Sequence, residues 1–261
     1  MRTPVGAPWA GGGRSARGGG MARGAGRSRL RAAVAVLLIA LLVATIAVAA
    51  LISASPDVED AGARVDALLA THGGERVALG RDARLARAIV AVEDRRFFDH
   101  PGVDPLAFAR VALRSLTDPG SDPGGSTIAL QLAKLLYTGP ARDPAAALTQ
   151  VGVALKLERR NTKDELLDLY LNAVYYGDGQ YGAERASRHY TGHGAAALTW
   201  GEASMLAGLV QAPSRYAGDL GAARRRQRHV LDRLTATGAL TAAEADAAFA
   251  EPLDRFGGLA G

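Results

Sequence analysis

Residues 162–172 read Thr-Lys-Asp-Glu-Leu-Leu-Asp-Leu-Tyr-Leu-Asn, and this stretch is the clearest indication of the fold class. Thr162, followed three residues later by Glu165, is a capping box, in which each side chain bonds the other residue's backbone N–H at a helix start. The leucines that follow recur at helical spacing and are expected to face a core. The same signature precedes further apolar runs at 199–202 and 241–244. The stretch predicts a helix, and its repetition predicts a helical domain.

Helix signals continue through the rest of the chain, and no segment beyond residue 56 alternates polar and apolar residues as a half-buried strand would. Asp104–Pro105 and Asp143–Pro144 each place an N-cap residue before a proline in the first helical turn. The predicted helices are 58–71, 82–96, 105–117, 127–137, 144–160, 163–176, 181–190, 200–210, 220–236 and 242–250. The predicted fold class is all-α.

An apolar stretch of 21 residues, from Ala32 to Ile52, is interrupted only by Thr45. As a helix it would reach about 31 Å, close to the hydrocarbon thickness of a bilayer. Arginines precede it and acidic residues follow it, so the positive-inside rule predicts a cytoplasmic N-terminus and an extracytoplasmic C-terminal domain. We therefore predict a single-pass protein of the cytoplasmic membrane.

Two alternatives to this anchor are a cleaved signal peptide, with a small-residue site near residues 53–55, and a buried soluble helix. The apolar stretch is longer than a signal peptide's and more uniformly apolar than a soluble helix. The expected organisation is a disordered basic tail (1–31), a transmembrane helix (32–52), a juxtamembrane connector (53–81), a catalytic-type domain (82–250) and a C-terminal tail (251–261). Met21 is an alternative start that leaves the anchor intact.

The net charge of +5 belongs to the tail. Residues 1–31 contain seven arginines and no acid, so the remainder has 24 basic residues against 26 acidic ones, near −2. A nucleic-acid partner is therefore not expected. The chain has no cysteine, which excludes disulfides, thiolate metal sites and a cysteine nucleophile.

Glu93 ends an apolar helix and begins the stretch Glu-Asp-Arg-Arg-Phe-Phe-Asp-His-Pro-Gly, residues 93–102. An acid in that position is well placed to have a raised pKa and to act as a base. Taken alone, a Glu-Asp pair beside two arginines is more often a solvated helix end.

A second stretch, Gly-Gly-Ser-Thr-Ile-Ala-Leu-Gln-Leu-Ala-Lys at 124–134, leads glycines into a helix start. The exposed N–H groups expected there suit a phosphate, with Lys134 two turns further on. By itself, the stretch is better explained as an ordinary capped helix after a flexible loop. The basic run from Arg226 to His229 is interpreted as a helix face, and His189 and His193, with Gly192 between them, as a helix end and not a metal site.

Together these stretches resemble glycosyltransferase family 51, the peptidoglycan glycosyltransferases, over about residues 82–235. The pattern E-D-x-x-F-x-x-H-x-G is met in full, and K-D-E-I-L-x-x-Y-L-N is met from Lys163 to Asn172 with Leu166 replacing isoleucine. The pattern G-x-S-T-I-x-Q-Q-x-x-K is met at Gly124, Ser126, Thr127, Ile128, Gln131 and Lys134.

The resemblance implies a lysozyme-like helical fold that polymerises a lipid-linked disaccharide-peptide precursor into glycan strands. It implies that Glu93 is the general base that deprotonates the acceptor 4-hydroxyl, while a lipid pyrophosphate leaves the donor. The residues expected around the substrate are Asp94, Phe97, His100, Ser126, Thr127, Gln131, Lys134 and Arg142.

The third family pattern, R-K-x-x-E, is not met. Counting back twelve residues from Thr162 puts Gln150 at the position of its glutamate and Ala146 and Ala147 at its basic positions. Leu130 and Leu135 also replace polar family residues. Gln150 has nearly the shape of a glutamate but no charge. Glu158, eight residues on, is a candidate substitute.

Three functions stay open at this point. An active glycosyltransferase is favoured. The first alternative is a catalytically impaired homologue that binds precursor or glycan as a scaffold, and the second is a muramidase-like enzyme that cuts strands with one glutamate.

The expected partners are the lipid-linked precursor, the growing glycan strand and membrane lipid. The ranges Leu130–Tyr137 and Leu113–Leu116 are candidates for apolar surface near the lipid, and protein partners stay unknown. No cofactor is required by the residues, although some family members use a divalent cation, Mg²⁺ or Mn²⁺. No Ser-x-x-Lys occurs within the 261 residues, so no transpeptidase is expected in them.

Overall fold

The protein is described by a computed structural model over residues 21–102, 126–141, 143–252 and 256, with the side chains of 21–29 and 217 outside the description. Those ranges contain eleven α-helices and no β-strand, so the predicted all-α class is confirmed.

The helices, numbered in chain order, are α1 (Met21–Ala54), α2 (Ala61–Thr71), α3 (Arg84–Glu93), α4 (Ile128–Ala133), α5 (Pro144–Arg160), α6 (Lys163–Ala173), α7 (Ala183–Thr191), α8 (Trp200–Leu209), α9 (Pro213–Ala217), α10 (Leu220–Ala236) and α11 (Ala242–Ala250). Short 3₁₀ turns cover Phe97–Asp99 and Ala195–Ala197. A π-helical segment, Lys134–Thr138, continues α4.

Local capping signals predicted helix starts well. All three capping boxes form, before α6, α8 and α11, and the Asp143 side chain accepts a hydrogen bond from the Ala146 N–H at the start of α5. Helices α5, α10 and α11 have the predicted bounds. The predicted helix 105–117 and its Asp104–Pro105 cap lie outside the described residues.

Helix ends were predicted less well. The helix predicted over 82–96 ends at Glu93, because Asp94 leaves helical geometry to bond two distant groups, as described below. The helix predicted over 163–176 ends at Ala173, and α9 was not predicted. In each case the boundary depends on tertiary contacts, which local sequence signals do not contain.

Helix α1 contains the predicted membrane segment. Leu30–Ala54 is long and apolar enough to cross a membrane, and it is the one such helix in the described part of the chain. The Thr45 hydroxyl donates to the Leu41 carbonyl oxygen at 2.8 Å, which satisfies this polar side chain within its own helix.

The remaining helices enclose one core. Helix α3 packs against α8 and α10, and α4 packs against α5 and α6. Val58, Val65 and Leu69, from the stretch predicted as a connector, are buried in the same core. The Lys156 ammonium on α5 donates to the Ser55 carbonyl oxygen at 2.6 Å, which ties the start of that stretch to the domain.

Candidate active site

Glu93 lies at the C-terminal end of α3, where side chains from other helices meet its carboxylate. The Gln131 Nε2 of α4 donates to Glu93 Oε2 at 2.9 Å. The Arg226 Nη2 of α10 lies 3.8 Å from Glu93 Oε1. The Glu93 side chain is 12% exposed and that of Arg226 is 15% exposed, so the pair lies at the edge of the interior with limited solvent screening.

Tyr170 of α6 lies behind Gln131. Its hydroxyl donates to Gln131 Oε1 at 2.7 Å, and the residue is fully buried. Burial, followed by the charge of Glu93, holds the pKa of the Tyr170 hydroxyl well above its ordinary value, so this hydroxyl stays a donor. Glu93, Gln131, Tyr170 and Arg226 form a set that we call the Glu93 cluster.

Asp94 and His100 bond each other and organise the backbone that follows Glu93. Both carboxylate oxygens of Asp94 lie 3.0 Å from His100 Nε2, and Oδ2 accepts the Ile128 N–H at 3.1 Å. The Thr127 hydroxyl donates to the Gly102 carbonyl oxygen at 2.6 Å and accepts the Leu130 N–H at 3.2 Å.

These bonds change part of one prediction. The N–H groups of Ile128 and Leu130, expected to be available for a phosphate, are already bonded to Asp94 and Thr127. Asp94, His100 and Thr127 are buried, so in this form they hold the loop of residues 94–102 against α4. Ser126 and Lys134 are exposed, which leaves both accessible to a ligand.

Phe97 is fully buried beneath the Lys163 ammonium, which lies 4.4 Å from the centroid of its ring. Lys163 Nζ also donates to the His100 carbonyl oxygen at 2.6 Å and to Glu158 Oε1 at 2.7 Å. The Glu158 side chain is 6% exposed. Burial raises the pKa of its carboxyl, and Lys163 opposes that rise. Glu158 is therefore engaged in the loop's support, which argues against it as a substitute for the missing glutamate.

Gln150 faces the end of the π-helical segment, where its Nε2 donates to the Gly139 carbonyl oxygen at 2.8 Å. Ala146 and Ala147, one turn earlier on α5, offer no polar group. Gly139, Ala146, Ala147 and Gln150 are called the Gln150 region below. Arg142, the basic residue predicted beside them, lies outside the described residues.

A divalent cation does not fit the groups in this part of the molecule. Among the described residues of the Gln150 region, Gln150 offers a neutral amide in place of a carboxylate, and Ala146 and Ala147 offer no side-chain oxygen. Over the described ranges, no group of three or more His, Cys, Asp or Glu residues could hold a metal ion. Mg²⁺ is usually bound through carboxylates and phosphate oxygens, and this donor set lacks the carboxylate.

Two members of the Glu93 cluster were missed by sequence reasoning. Tyr170 was noted as a match to the K-D-E-I-L-x-x-Y-L-N pattern without a role for its hydroxyl, and Arg226 was interpreted as part of a basic helix face. In the structure, Gln227 beside Arg226 is fully buried and its amide donates to the Gly201 carbonyl oxygen at 2.9 Å, so this side of α10 faces inward. The sequence signal for Tyr170 was its place in the pattern, and that signal did not reveal its contact with Gln131.

Comparison with known proteins identifies the chain. The family profile described as transglycosylase matches residues 81–235, which is more than half of the sequence and contains the whole Glu93 cluster. The chain belongs to the transglycosylase family. The resemblance drawn from the motifs is therefore confirmed, and the all-α domain is consistent with the lysozyme-like fold which that resemblance implied.

Curated relatives agree with this family. A protein of Cupriavidus necator, provisionally named a transglycosylase, is 38% identical over 193 residues, which cover 72% of this chain and 83% of that protein. Penicillin-binding protein 1A of Escherichia coli is 37% identical over 166 residues, which cover 62% of this chain but only 19% of that protein. This transglycosylase thus spans most of the first relative and a small part of the second.

Among solved structures, that of penicillin-binding protein 1A from Haemophilus influenzae matches with a TM-score of 0.34 and 35% identity, over 36% of this chain and 14% of that one. The family and the relatives together make this transglycosylase a peptidoglycan glycosyltransferase. Its single N-terminal apolar helix fits a membrane anchor.

Proposed function

We propose that this transglycosylase polymerises a lipid-linked disaccharide-peptide precursor at the outer face of the cytoplasmic membrane, with Glu93 as the general base. The observation that carries the proposal is the environment of Glu93. Its carboxylate is nearly buried, accepts one hydrogen bond from Gln131 and has a guanidinium 3.8 Å away. A donor and a cation on a carboxylate both favour its ionised form, which a base needs at neutral pH.

The transfer step moves one proton and exchanges one bond. Glu93 takes the proton of the acceptor sugar's 4-hydroxyl as that oxygen attacks the anomeric carbon of the donor. The new glycosidic bond forms as the bond from the anomeric carbon to the lipid pyrophosphate breaks, and the pyrophosphate leaves with the electron pair. The product is a longer glycan strand, a lipid pyrophosphate and a protonated Glu93.

The leaving pyrophosphate needs cationic or hydrogen-bonding partners. Lys134 and Ser126 are exposed and are proposed to contact it. The other predicted residues, Asp94, Phe97, His100 and Thr127, are proposed to act by holding the loop and the helix start between which Glu93 lies.

The anchor supports a membrane-bound substrate. A lipid-linked precursor stays in the bilayer, so tethering the domain by α1 keeps enzyme and substrate in one plane. Arginines that precede the apolar stretch of residues 32–52 favour a cytoplasmic N-terminus, which would leave the domain outside.

Incubation of the detergent-solubilised protein with lipid-linked precursor tests the proposal, with glycan polymer as the expected product on a gel. Absence of polymer at any pH or Mg²⁺ concentration would contradict it.

A second candidate is favoured by the Gln150 region. A homologue that has lost its second carboxylate and two cations would hold precursor or strand without extending it at a useful rate. Under that alternative, a filter-binding assay should detect bound lipid-linked precursor while the polymerisation assay stays blank.

A further inference from the structure

We propose that Tyr170 is a positioning residue for the reaction: acting through Gln131, it fixes which end of the Gln131 amide meets the Glu93 carboxylate. The inference rests on the proposed role of Glu93 as base. Three helices contribute one side chain each, Tyr170 from α6, Gln131 from α4 and Glu93 from α3. Two consecutive hydrogen bonds connect them. The Tyr170 hydroxyl donates to the Gln131 amide oxygen at 2.7 Å, and the Gln131 amide nitrogen donates to the Glu93 carboxylate at 2.9 Å.

Donor and acceptor chemistry determines which group donates in each of these two hydrogen bonds. An ionised carboxylate only accepts hydrogen bonds, and an amide can present either its NH₂ or its oxygen. The Tyr170 hydroxyl is fully buried and stays protonated, so it donates to Gln131 Oε1. With the oxygen taken, the NH₂ must face Glu93. This donor stabilises the ionised form of Glu93 more than the protonated form, because a hydrogen bond to a charged oxygen is stronger.

The charged surroundings of Glu93 are consistent with this assignment. Among the described residues, Arg226 of α10 faces its carboxylate, and the adjacent Asp94 is directed to His100 instead. Helix α8, which also packs on α3, has one charged residue, Glu202, and this residue bonds His193 at 3.0 Å. A change at Tyr170 would therefore reach Glu93 through Gln131 while the Arg226 contact stays in place.

Removal of the hydroxyl should weaken the base. In Tyr170→Phe, Gln131 Oε1 loses its donor, and the amide can rotate so that its oxygen faces Glu93. A protonated carboxyl can donate to that oxygen, whereas an ionised one is repelled by it. The acid limb of the pH–rate profile should shift to higher pH by about one pH unit. On that limb the rate should be roughly tenfold lower, and it should partly recover at higher pH.

Tyr176→Phe is the matched control. Tyr176 is also fully buried, and within the described ranges its hydroxyl bonds the Leu171 carbonyl oxygen at 3.3 Å, on the neighbouring helix end. Both variants delete one buried phenol oxygen, so a general loss of stability should affect them alike. The proposal expects the acid limb to move in Tyr170→Phe and to stay in Tyr176→Phe, with thermal unfolding measured for both.

A double-mutant cycle separates positioning from packing. Gln131→Met keeps the side-chain volume and removes both ends of the amide, so it should shift the acid limb by itself. In that background, Tyr170→Phe should cause no further shift, because the connection to Glu93 is already broken. If Tyr170→Phe alone does not fold, the Gln131→Met profile still tests the donor to Glu93.

The outcomes are distinct from those of the proposed function. A wild-type protein that makes no polymer defeats the assignment of Glu93 as base. An active wild type whose acid limb is the same in Tyr170→Phe and Tyr176→Phe, or in which the two cycle mutations shift the limb additively, overturns the positioning role alone.

Discussion

Two parts of the active-site region differ in how their side chains are held. In the Glu93 cluster, four helices each contribute one side chain, and hydrogen bonds of 2.7 and 2.9 Å join three of them. In the Gln150 region, the amide of Gln150 bonds a backbone carbonyl oxygen, and the preceding turn of α5 presents Ala146 and Ala147. The Glu93 cluster keeps the glutamate of the family pattern. The Gln150 region has neutral side chains where the family pattern has charged ones.

The proposed function assigns these two regions to different parts of one reaction, activation of the acceptor and departure of the pyrophosphate. Activation of the acceptor hydroxyl needs a base in a defined environment, and under the proposed function Glu93 is that base. Stabilisation of a departing pyrophosphate needs preorganised cations or donors, and the Gln150 region has lost those which the family pattern expects there. We therefore expect this transglycosylase to be limited by the departure of its leaving group and not by proton removal.

Glu93→Gln should have the largest effect, because it removes the base and keeps its shape. We expect glycan polymerisation to fall by roughly 10³-fold. Polymer formed from lipid-linked precursor is the measurement, with Glu75→Gln, the same change at an exposed position, as the control. Normal activity in Glu93→Gln would mean that the Glu93 cluster is not the catalytic half.

Lys163→Met tests the support beneath the same cluster. It leaves the nearly buried Glu158 without its cation, which should lower the free energy of unfolding by about 3 kcal/mol. Urea titration would measure the loss. Lys134→Met, at an exposed lysine, should change the free energy of unfolding by no more than about 0.5 kcal/mol.

The cost of Lys163→Met should also depend on pH. The pKa of Glu158 is already raised by burial, and removal of Lys163 raises it further. A carboxyl with a raised pKa in the folded state contributes stability below its unfolded pKa, and that stability is lost as the pH rises through the folded value. The variant should therefore be less destabilised at about pH 5 than at about pH 8. An equal loss at both pH values would show that the ion pair is not the cause.

Gln150→Glu should partly restore the other half of the site. A carboxylate at residue 150 gives up the bond to Gly139 and gains a charge for the leaving group's environment, so we expect a roughly tenfold rise in polymerisation. Gln150→Leu, which also loses the Gly139 bond but adds no charge, should not raise activity. Equal polymerisation by the wild type and Gln150→Glu would show that the neutral side chain at residue 150 does not limit activity.

The smallest effect is expected at Gly102, where the loop of residues 94–102 meets α5. Its φ is +92°, and a Cβ there would lie 2.7 Å from Glu158 Cγ. Gly80 has a similar φ of +67° but open space around a Cβ. Gly102→Ala should therefore cost about 1 kcal/mol more than Gly80→Ala in thermal or urea unfolding. Equal costs would indicate that the loop and α5 can move apart.

Much of the fold could be predicted because its signals are local. A capping box uses residues three positions apart, and an N-cap with a proline uses adjacent ones, so α5, α6, α8 and α11 begin where expected. The end of α3 could not be predicted in the same way, since Asp94 leaves the helix to reach His100 and Ile128, 34 residues further on.

The helical class, the family and the apolar helix that fits a membrane anchor could all be inferred from the sequence, because they depend on composition, periodicity and short motifs. The structure was needed to show that Tyr170 and Arg226 lie with Glu93, that Asp94 accepts an N–H at the helix start expected to bind phosphate, and that Glu158 pairs with Lys163. Those facts depend on residues that lie far apart in the chain, or on different helices, and meet only when the helices pack. Side-chain bonds are made across the core, and no local pattern encodes which of several polar residues will be brought within 3 Å of another.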